Sequence, residues 1–367
     1  MYKSLRAQTL HYFTRAHEHV PSAPIESAAA WRGSEMRKRG DWSVQLTPSE
    51  IAEIKTATAH AMATGKPMGE MTRDDLPLPT LAKRIGEWRR EIRHGRGFVL
   101  IRGVPLSEWS TQESETFYWL FGHHFGVPGA QNPENDLLGH VRDQRTGEDV
   151  RFYRTNKAIA VHCDAADFVG LLCLKPAKSG GMSRLASSVA VFNELLRRKP
   201  HLVPRLFEPF YFDTKGEGGV RAFPIEPCRF SKGELRTFWQ SDYYRSAQEI
   251  PHVPRLTAEE HELLDSYDAI ANDPEFHLDM ELLPGDIQLI SNHTILHART
   301  DFEDWPELER RRHLLRLWIS IPEQTSLGER WLRTRSAVSL VGAAGREIVL
   351  ENFSGGAGLQ QAKSGMP

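Results

Sequence analysis

The stretch AIAVHCDAADFVGLLCL, residues 158–174, decides the fold of this chain. Two short apolar runs, AIAV and FVGLLCL, flank a polar step, which is typical of two buried strands joined by a short connection. The later runs DIQLI (residues 286–290) and HLLRLWIS (residues 313–320) have the same character. Upstream, GFVLIRGV (residues 97–104) is a short apolar run between glycines and predicts one more buried strand. The pattern therefore predicts a mainly β core.

Helix signals surround these strands. Three capping boxes predict helix starts, because a Ser or Thr side chain and a Glu three residues later satisfy the first free N–H groups. An apolar stripe that ends at Gly95, and the run at residues 188–198 that Pro200 stops, predict two further helices. The fold class is therefore mainly β with flanking helices. The three capping boxes are Thr47 with Glu50, Ser110 with Glu113, and Thr257 with Glu260.

The length of 367 residues is compatible with one elaborated domain, since β barrels and sandwiches often exceed the usual domain size. Residues 1–40 are polar and irregular, and we expect them to be poorly ordered or to lie over the surface. Residues 41–354 are predicted to form a single domain, helical to about residue 95 and with its core at about 97–321. The glycine-rich end, residues 355–367, is expected to be a flexible tail.

Composition excludes several classes of protein. A formal net charge of -2 gives no field for attracting nucleic acid or an anionic membrane, and no apolar run approaches the roughly 20 residues that span a bilayer. Three cysteines without CxxC spacing indicate neither a disulfide framework nor a zinc ribbon. We therefore expect a cytoplasmic protein with a small-molecule partner, with a transit peptide as the alternative location signal. The pattern leaves the oligomeric state open, including a homo-oligomer.

The polar step His162-Cys163-Asp164 is a candidate metal motif. An iron(II) that must also bind a cosubstrate and O2 is typically held by two imidazoles and one carboxylate on one face. Taken alone, His162 could equally be a hydrogen-bonded core residue. A second His-x-Asp step, His277 to Asp279, lies in an alternating stretch that indicates a strand with one wet face, so we interpret His277 as a solvated strand residue.

A longer pattern distinguishes between these interpretations. The stretch NHTILHARTDFEDWPELERRRHLLRLWIS (residues 292–320), taken with HCDAADFVGLLCL, SGGMS (residues 179–183), GFVLIRGVP and HHFGVP (residues 123–128), resembles the TauD/TfdA family of 2-oxoglutarate-dependent dioxygenases. The resemblance covers roughly residues 42–321. It implies a single dioxygenase domain with a double-stranded β-helix (jelly-roll) core. It also implies Fe(II), 2-oxoglutarate and O2 as the cofactor and cosubstrates, and hydroxylation or a related C–H oxidation of a small organic molecule.

Carried over position by position, the resemblance makes His162, Asp164 and His297 the metal ligands. His293 is the local competitor of His297, and we interpret it as structural. The middle residue of the motif, Cys163, is expected to point away from the metal if the segment is extended, and to act as a small buried hydrophobe.

The family also needs a cation for the C5 carboxylate of 2-oxoglutarate, and arginine suits this because its planar fork matches a carboxylate. The resemblance assigns this anchor to Arg312, fifteen positions after His297. Ser183 stands where relatives have a threonine that also binds this carboxylate. Asn156 could touch the substrate or the cosubstrate, although structural hydrogen bonding is the alternative.

Arg316 lies four residues after Arg312, which is two periods of a strand, so both should face the same side, together with Leu314 and Trp318. A buried arginine needs a counter-charge. Three partners remain open for Arg316: an anionic group of the substrate, 2-oxoglutarate itself, or an acidic residue such as Asp167.

Two other functions remain as alternatives. A zinc-dependent hydrolase could use the same three ligands, but it gives no reason for Arg312 and the Gly-Gly-x-Ser step. A catalytically silent jelly-roll binding module gives no reason to keep three ligands and an anchor. The identity of the substrate, and the choice between hydroxylation, desaturation, dealkylation and cyclisation, lie beyond the sequence.

Overall fold

The structure, a computed structural model, describes residues 2–13, 15–132, 135–143, 157–215, 220–322, 337–342 and 347–351. Strands and helices are numbered along the chain. The described strands β1 to β19 are Ser43–Gln45, Phe98–Arg102, Val127–Gly129, Gly139–Val141, Ile159–His162, Phe168–Lys175, Ser179–Gly180, Ser183–Ser187, Phe210–Asp213, Val220–Ile225, Cys228–Ser231, Glu234–Thr237, His277–Met280, Ile287–Ser291, Ile295–Arg299, Phe302–Glu303, His313–Ser320, Ala337–Gly342 and Glu347–Glu351.

Helices surround these strands, and short 3₁₀ helices connect several of the elements. The described α-helices α1 to α8 are Leu5–Phe13, Gly33–Met36, Pro48–Ala63, Ala82–His94, Thr111–His123, Ser188–Arg198, Ser241–Ser246 and Ala258–Asn272. The 3₁₀ helices are Met68–Glu70, Arg73–Asp75, Leu106–Glu108, Pro200–Phe207, Ala247–Glu249 and Leu308–Arg310.

Two sheets form the core. The large sheet has the order β1-β2-β14-β6-β17-β3, with β4 also paired to β17, and the small sheet has the order β13-β8-β15-β5. Apart from the parallel pair of β1 and β2, neighbouring strands in both sheets are antiparallel. Smaller groups are β9 and β10 with β18 and β19, the hairpin of β11 and β12, and the pair of β7 and β16.

The inner faces of the two sheets share one apolar cluster. The large sheet contributes Phe98, Leu100 and Ile290, and the small sheet contributes Leu185 and Ile295, all of them buried. This stacking of two antiparallel sheets is the predicted jelly-roll core, and the prediction of a mainly β fold with flanking helices is confirmed.

Helices cover the outer faces. Residues of α3, α4 and α5 pack with outward-facing residues of the large sheet in one cluster, while α6 and α8 pack with the small sheet in another. The three predicted capping boxes are present at the starts of α3, α5 and α8. The helix predicted to end at Gly95 is α4, and α6 ends just before Pro200 as predicted. Among the described residues, no helix is both long and apolar enough to cross a bilayer.

Strand β17 alternates as predicted from its period of two. Leu314 and Trp318 belong to the cluster between the sheets, whereas Leu315 and Leu317 belong to the cluster under the helices. The side chains of Arg316 and Trp318 both reach Asp164. The alternation therefore turns Arg316 towards the inside of the core.

The N-terminal segment differs from the expectation of a poorly ordered or surface-lying stretch. It contains α1 and α2, and the side chains of Tyr12, Arg15 and Trp31 are buried. The composition suggested disorder, but the aromatic residues Tyr12 and Trp31 of this segment are buried, and such side chains each bury a large area. The predicted flexible tail, residues 355–367, lies outside the described residues.

Candidate metal and cosubstrate site

The structure brings the three predicted metal ligands together. His162 ends β5 and lies directly opposite His297 of β15 in the sheet register, and the two ring centroids are 4.1 Å apart. Asp164 follows in the connection between the two sheets, with its Oδ2 atom 3.7 Å from His297 Nε2. One potential ligand atom from each residue lies within 4.8 Å of the others, and no second group of this kind occurs in the described part of the chain.

The two imidazoles are suited to bind a cation. His162 Nδ1 lies 2.9 Å from the carbonyl oxygen of Ala160, so an N–H there would donate to this carbonyl and leave Nε2 as the free lone pair. Burial, followed by the neighbouring His162, lowers the pKa of His297 to about 3. His297 is therefore neutral, which is the form that coordinates metals.

Asp164 is held at both its backbone and its carboxylate. Its backbone N–H donates to Asn292 Oδ1 at 3.1 Å, and Asn292 Nδ2 donates back to the Asp164 carbonyl. The carboxylate accepts from Trp318 Nε1 at 2.9 Å and Arg316 Nη1 at 3.3 Å. Burial alone would raise the pKa of Asp164, but the opposing effects, led by the charge of Arg316, outweigh it and lower the pKa to about 2.

This donor set fits a divalent iron. Two imidazoles and one ionised carboxylate that converge beside an open cavity match the facial arrangement of non-haem iron(II) sites. The predicted orientation of Cys163 is confirmed, since its side chain is buried in the apolar cluster under α6 and α8. Burial raises the pKa of this thiol, so it stays protonated.

Arg312 is a buried cation without a buried anion. It is 5% exposed, no described carboxylate forms an ion pair with it, and its Nη1 atom has no hydrogen-bond partner. Burial lowers its pKa to about 10, and its guanidinium lies 5.2 Å from the ring centroid of Phe302. Gly181 has a φ of +69°, and a Cβ atom there would lie 3.1 Å from Arg312 Nε. The glycine of the Gly-Gly-x-Ser step thus leaves room beside this guanidinium.

Ser183 belongs to β8 of the small sheet, and Arg316 belongs to β17 of the large sheet. Ser183 is buried and its hydroxyl donates to Gln288 Oε1 at 3.0 Å. Arg316 reaches Asp164, and its Nε donates to Gln131 Oε1 at 3.1 Å. The acidic partner suggested from the sequence, Asp167, instead contacts His11, Arg15 and His293. Asn156 lies outside the described residues.

An open cavity adjoins His162 and Asp164. Sequence reasoning missed the polar residues of α7 that line it, because a six-residue helix has no periodic signal. Tyr243 lines the cavity, whereas Trp239 and Tyr244 are buried in the core. The lining includes Ile159, His162, Asp164, Phe212, Gln240, Ser241, Asp242, Tyr243 and Arg316.

The second His-x-Asp step needs a correction. His277 is 6% exposed and therefore not a solvated strand residue. The N-terminal segment covers it, since Gly33 packs against its backbone and Arg37 Nη1 donates to its carbonyl at 2.9 Å. Its Nε2 lies 3.7 Å from Asp279, but no third ligand completes a site among the described residues.

Comparison with known proteins agrees with this geometry. FR-33289 synthase from Streptomyces rubellomurinus (strain ATCC 31215) is 30% identical over 313 residues, which are 81% of this chain and 91% of the relative. A solved asparagine oxygenase in complex with Fe(II), 2S,3S-3-hydroxyasparagine and succinate has a similar fold, with a TM-score of 0.63, 17% identity and coverage of 80% of this chain and 97% of that one. The solved structure of the non-haem iron oxygenase OrfP in complex with Fe and alpha-ketoglutaric acid is also similar, with a TM-score of 0.59 and 18% identity. The match covers 81% of this chain and 98% of that one.

The family model "Taurine catabolism dioxygenase TauD, TfdA family" matches residues 63–318. This range contains the whole of both core sheets except the edge strand β1 and the last two residues of β17, and it includes all three predicted ligands and Arg312. The chain therefore belongs to the TauD/TfdA family of dioxygenases.

Proposed function

We propose that the chain is an Fe(II)- and 2-oxoglutarate-dependent dioxygenase that oxidises a C–H bond of a small organic anion. His162, Asp164 and His297 are the proposed iron ligands. The observation that carries the proposal is the convergence of these three donors within 4.8 Å, with His162 and Asp164 at the wall of an open cavity.

The protein's part in the reaction is to hold, orient and protect. Bound Fe(II) supplies the activation of O2 that couples decarboxylation of 2-oxoglutarate to oxidation of the substrate. The hydrogen bond from His162 to the Ala160 carbonyl would keep the second ring nitrogen available. Trp318, buried except for a small part of its surface, donates to the oxygen of Asp164 nearest His297 and so would fix the direction of the carboxylate.

Arg312 is the proposed anchor of the C5 carboxylate of 2-oxoglutarate. A buried guanidinium costs free energy unless an anion meets it, and no described side chain of this protein supplies that anion. Ser183 is the proposed second contact, which requires its hydroxyl to exchange Gln288 for the cosubstrate. Asn156 stays a proposed contact because it flanks the metal motif in the sequence.

Arg316 is the proposed reason for an anionic substrate. Its guanidinium lies at the cavity wall and donates to Asp164 Oδ2. If a metal held by Asp164 shared the charge of this carboxylate, Arg316 would be able to meet a second anion. The stacked pair of Phe212 and Tyr243, 5.2 Å between ring centroids, would cover the apolar part of the same molecule.

An anaerobic titration tests the reaction class. Fe(II) and 2-oxoglutarate added together should produce the weak visible charge-transfer band of a bidentate chelate, and neither should produce it alone. A zinc hydrolase or a silent binding module would give no such band. Absence of the band at saturating concentrations of both would refute the proposal.

We further propose a cytoplasmic location. All three cysteines are buried and free, and burial raises the pKa of each thiol. Such thiols are slow to oxidise, which fits a reducing compartment without requiring it.

A further inference from the structure

The N-terminal residues contact the layer of side chains that surrounds the metal ligands. Residues 3–13 together with Arg15, here called the N-terminal strap, precede the family match at residues 63–318. The strap contacts the connection from β5 to β6, which carries Asp164, and the connection from β14 to β15, which carries Asn292. The strap therefore lies outside the part of the chain that the family model matches.

The first contact runs through Tyr12. Its side chain is buried, and its hydroxyl lies 3.1 Å from both the Asn292 carbonyl and the Thr237 carbonyl. Its ring stacks on His293 at 4.9 Å between centroids and an interplanar angle of 10°. Tyr12 therefore fixes the backbone of Asn292, the residue whose side chain holds the backbone of Asp164 on both sides.

The second contact runs through Asp167, which is 0% exposed and lies three residues after Asp164. His11 Nε2 lies 2.7 Å from its Oδ2, and Arg15 forms an ion pair with its Oδ1. His293 also reaches Oδ1 at 2.8 Å, and the Asp167 backbone carbonyl accepts from the Asn292 N–H at 2.9 Å. Arg15 of the strap thus compensates the buried charge of Asp167, the residue that ties the Asp164 connection to the Asn292 connection, and His11 contacts the same carboxylate.

The third contact reaches the carboxylate of Asp164 by another route. Lys3 exchanges backbone hydrogen bonds with Pro128 and Ala130, each at 2.9 Å. The next residue along, Gln131, accepts from Arg316, and Arg316 donates to Asp164 Oδ2. The strap therefore supports the ligand from its backbone side and from its carboxylate side.

We propose that the N-terminal strap is a positioning element for Asp164 and that Tyr12 is a positioning residue on which the Fe(II) affinity of the site depends. The inference rests on the proposed metal site. Groups that orient a metal ligand through hydrogen bonds change metal affinity when removed, typically by about tenfold to a hundredfold.

The test compares two conservative variants of the full chain. Tyr12→Phe removes only the hydroxyl that contacts Asn292 and Thr237. Tyr244→Phe is the matched control, since it removes a buried hydroxyl that donates to the Phe238 carbonyl at 2.8 Å, and no hydrogen bond among the described residues joins this hydroxyl to the strap. We would measure the dissociation constant for Fe(II) anaerobically by chelator competition, the ligand-field spectrum with Co(II) bound, and the melting temperature of each apoprotein.

We expect Tyr12→Phe to raise the Fe(II) dissociation constant about tenfold and to alter the Co(II) spectrum, while Tyr244→Phe lowers the melting temperature and leaves both metal readouts at the wild-type level. A Tyr12→Phe dissociation constant within about twofold of wild type, or an equal rise in Tyr244→Phe, overturns the inference. Failure of wild-type protein to bind Fe(II) would instead overturn the proposed function, so the two failures are distinguishable.

Discussion

The three proposed ligands are constrained to different degrees. Asp164 makes four hydrogen bonds, two through its backbone and two through its carboxylate. His162 makes one hydrogen bond through Nδ1. The buried Nδ1 of His297 has no hydrogen-bond partner among the described residues. The carboxylate is therefore pre-oriented, whereas the imidazole of His297 depends on packing between the two sheets.

Removing any one ligand should abolish iron-dependent turnover. His162→Ala, Asp164→Ala and His297→Ala each leave two donors, too few to hold a divalent cation against water. His277→Gln is the control, because it removes the other His-x-Asp imidazole from a place with no third ligand. Activity and Fe(II) binding measured on all four variants check this, and full activity of His297→Ala would refute the assignment.

The two buried arginines of β17 should separate cosubstrate binding from substrate binding. Arg312→Leu removes a cation that forms no ion pair with any described carboxylate, and we expect 2-oxoglutarate to bind about a hundredfold more weakly, as for loss of a buried charge-assisted pair. Arg316→Leu should change 2-oxoglutarate binding by less than about threefold and weaken the binding of the anionic substrate.

Titration of the iron chelate band with 2-oxoglutarate measures the first effect directly. Equal losses of 2-oxoglutarate affinity in both variants would mean that Arg316 serves the cosubstrate, and the argument for an anionic substrate would then fail.

Helix α2 illustrates how a glycine sets the distance between two elements. Gly33 packs so closely on β13 that a Cβ atom would lie 1.9 Å from the His277 carbonyl oxygen. Because the obstacle is backbone, it cannot rotate away. The close approach is what brings Arg32 and Arg37 of the N-terminal segment onto the Glu275 to His277 region.

We expect Gly33→Ala to destabilise the fold by about 1–3 kcal/mol, the usual cost of overpacking. Gly40→Ala is the matched control, because nothing lies within 4 Å of its Cβ position. Thermal unfolding of both variants provides the measurement. A melting temperature of Gly33→Ala equal to that of Gly40→Ala would show that α2 can move off the sheet without cost.

Helix α8 carries a carboxyl group with an unusual titration. Burial raises the pKa of Asp268 to about 6, although the hydrogen bonds from Trp239 and Ser241 oppose the rise. In the unfolded chain this group loses its proton near its ordinary value of 3.8. The folded state therefore binds more protons in the window from about pH 4 to pH 6, and its stability falls as the pH rises through that window.

Asp268→Asn should remove this loss, because the amide stays neutral and its oxygen can still accept from Trp239 Nε1, now at 2.7 Å. We expect a melting temperature above that of wild type at pH 7.5, on the order of a few degrees, and no gain at pH 4. Asp265→Asn on the same helix is the control, since this carboxylate is exposed and pairs with Arg245. A gain of equal size at both pH values would contradict the assignment.

At the scale of the whole molecule, periodic sequence signals were sufficient to predict the core. They were insufficient to predict the burial of the N-terminal segment or the residues that line the cavity. The strand at GFVLIRGV, the capping boxes and the face shared by Arg316 and Trp318 follow from local patterns of two or 3.6 residues. The burial of the N-terminal segment does not, because Tyr12 and Arg15 find their partners at residues 237, 292 and 167. Contacts at such sequence separations leave no local pattern, and the same holds for the cavity residues of α7.

Cofactor binding should couple to the stability of the whole fold, because two proposed ligands come from separate strands of the small sheet and the third from the connection to the large sheet, so they cannot converge in the unfolded chain. A ligand at 100 times its dissociation constant stabilises the native state by about 2.7 kcal/mol. We therefore expect anaerobic Fe(II) to raise the melting temperature, and 2-oxoglutarate to raise it further in the presence of the metal.

Two variants should separate the rise in melting temperature caused by Fe(II) from the further rise caused by 2-oxoglutarate. Arg312→Leu should keep the increment from Fe(II) and lose the one from 2-oxoglutarate, whereas His297→Ala should lose both, because the chelating end of 2-oxoglutarate has no metal to bind. Differential scanning calorimetry on wild type and both variants measures them. If 2-oxoglutarate raised the melting temperature of His297→Ala, or of wild type stripped of metal by a chelator, as much as that of iron-loaded wild type, the cosubstrate would bind independently of the metal. The assignment of one joint site to His162, Asp164, His297 and Arg312 would then fail.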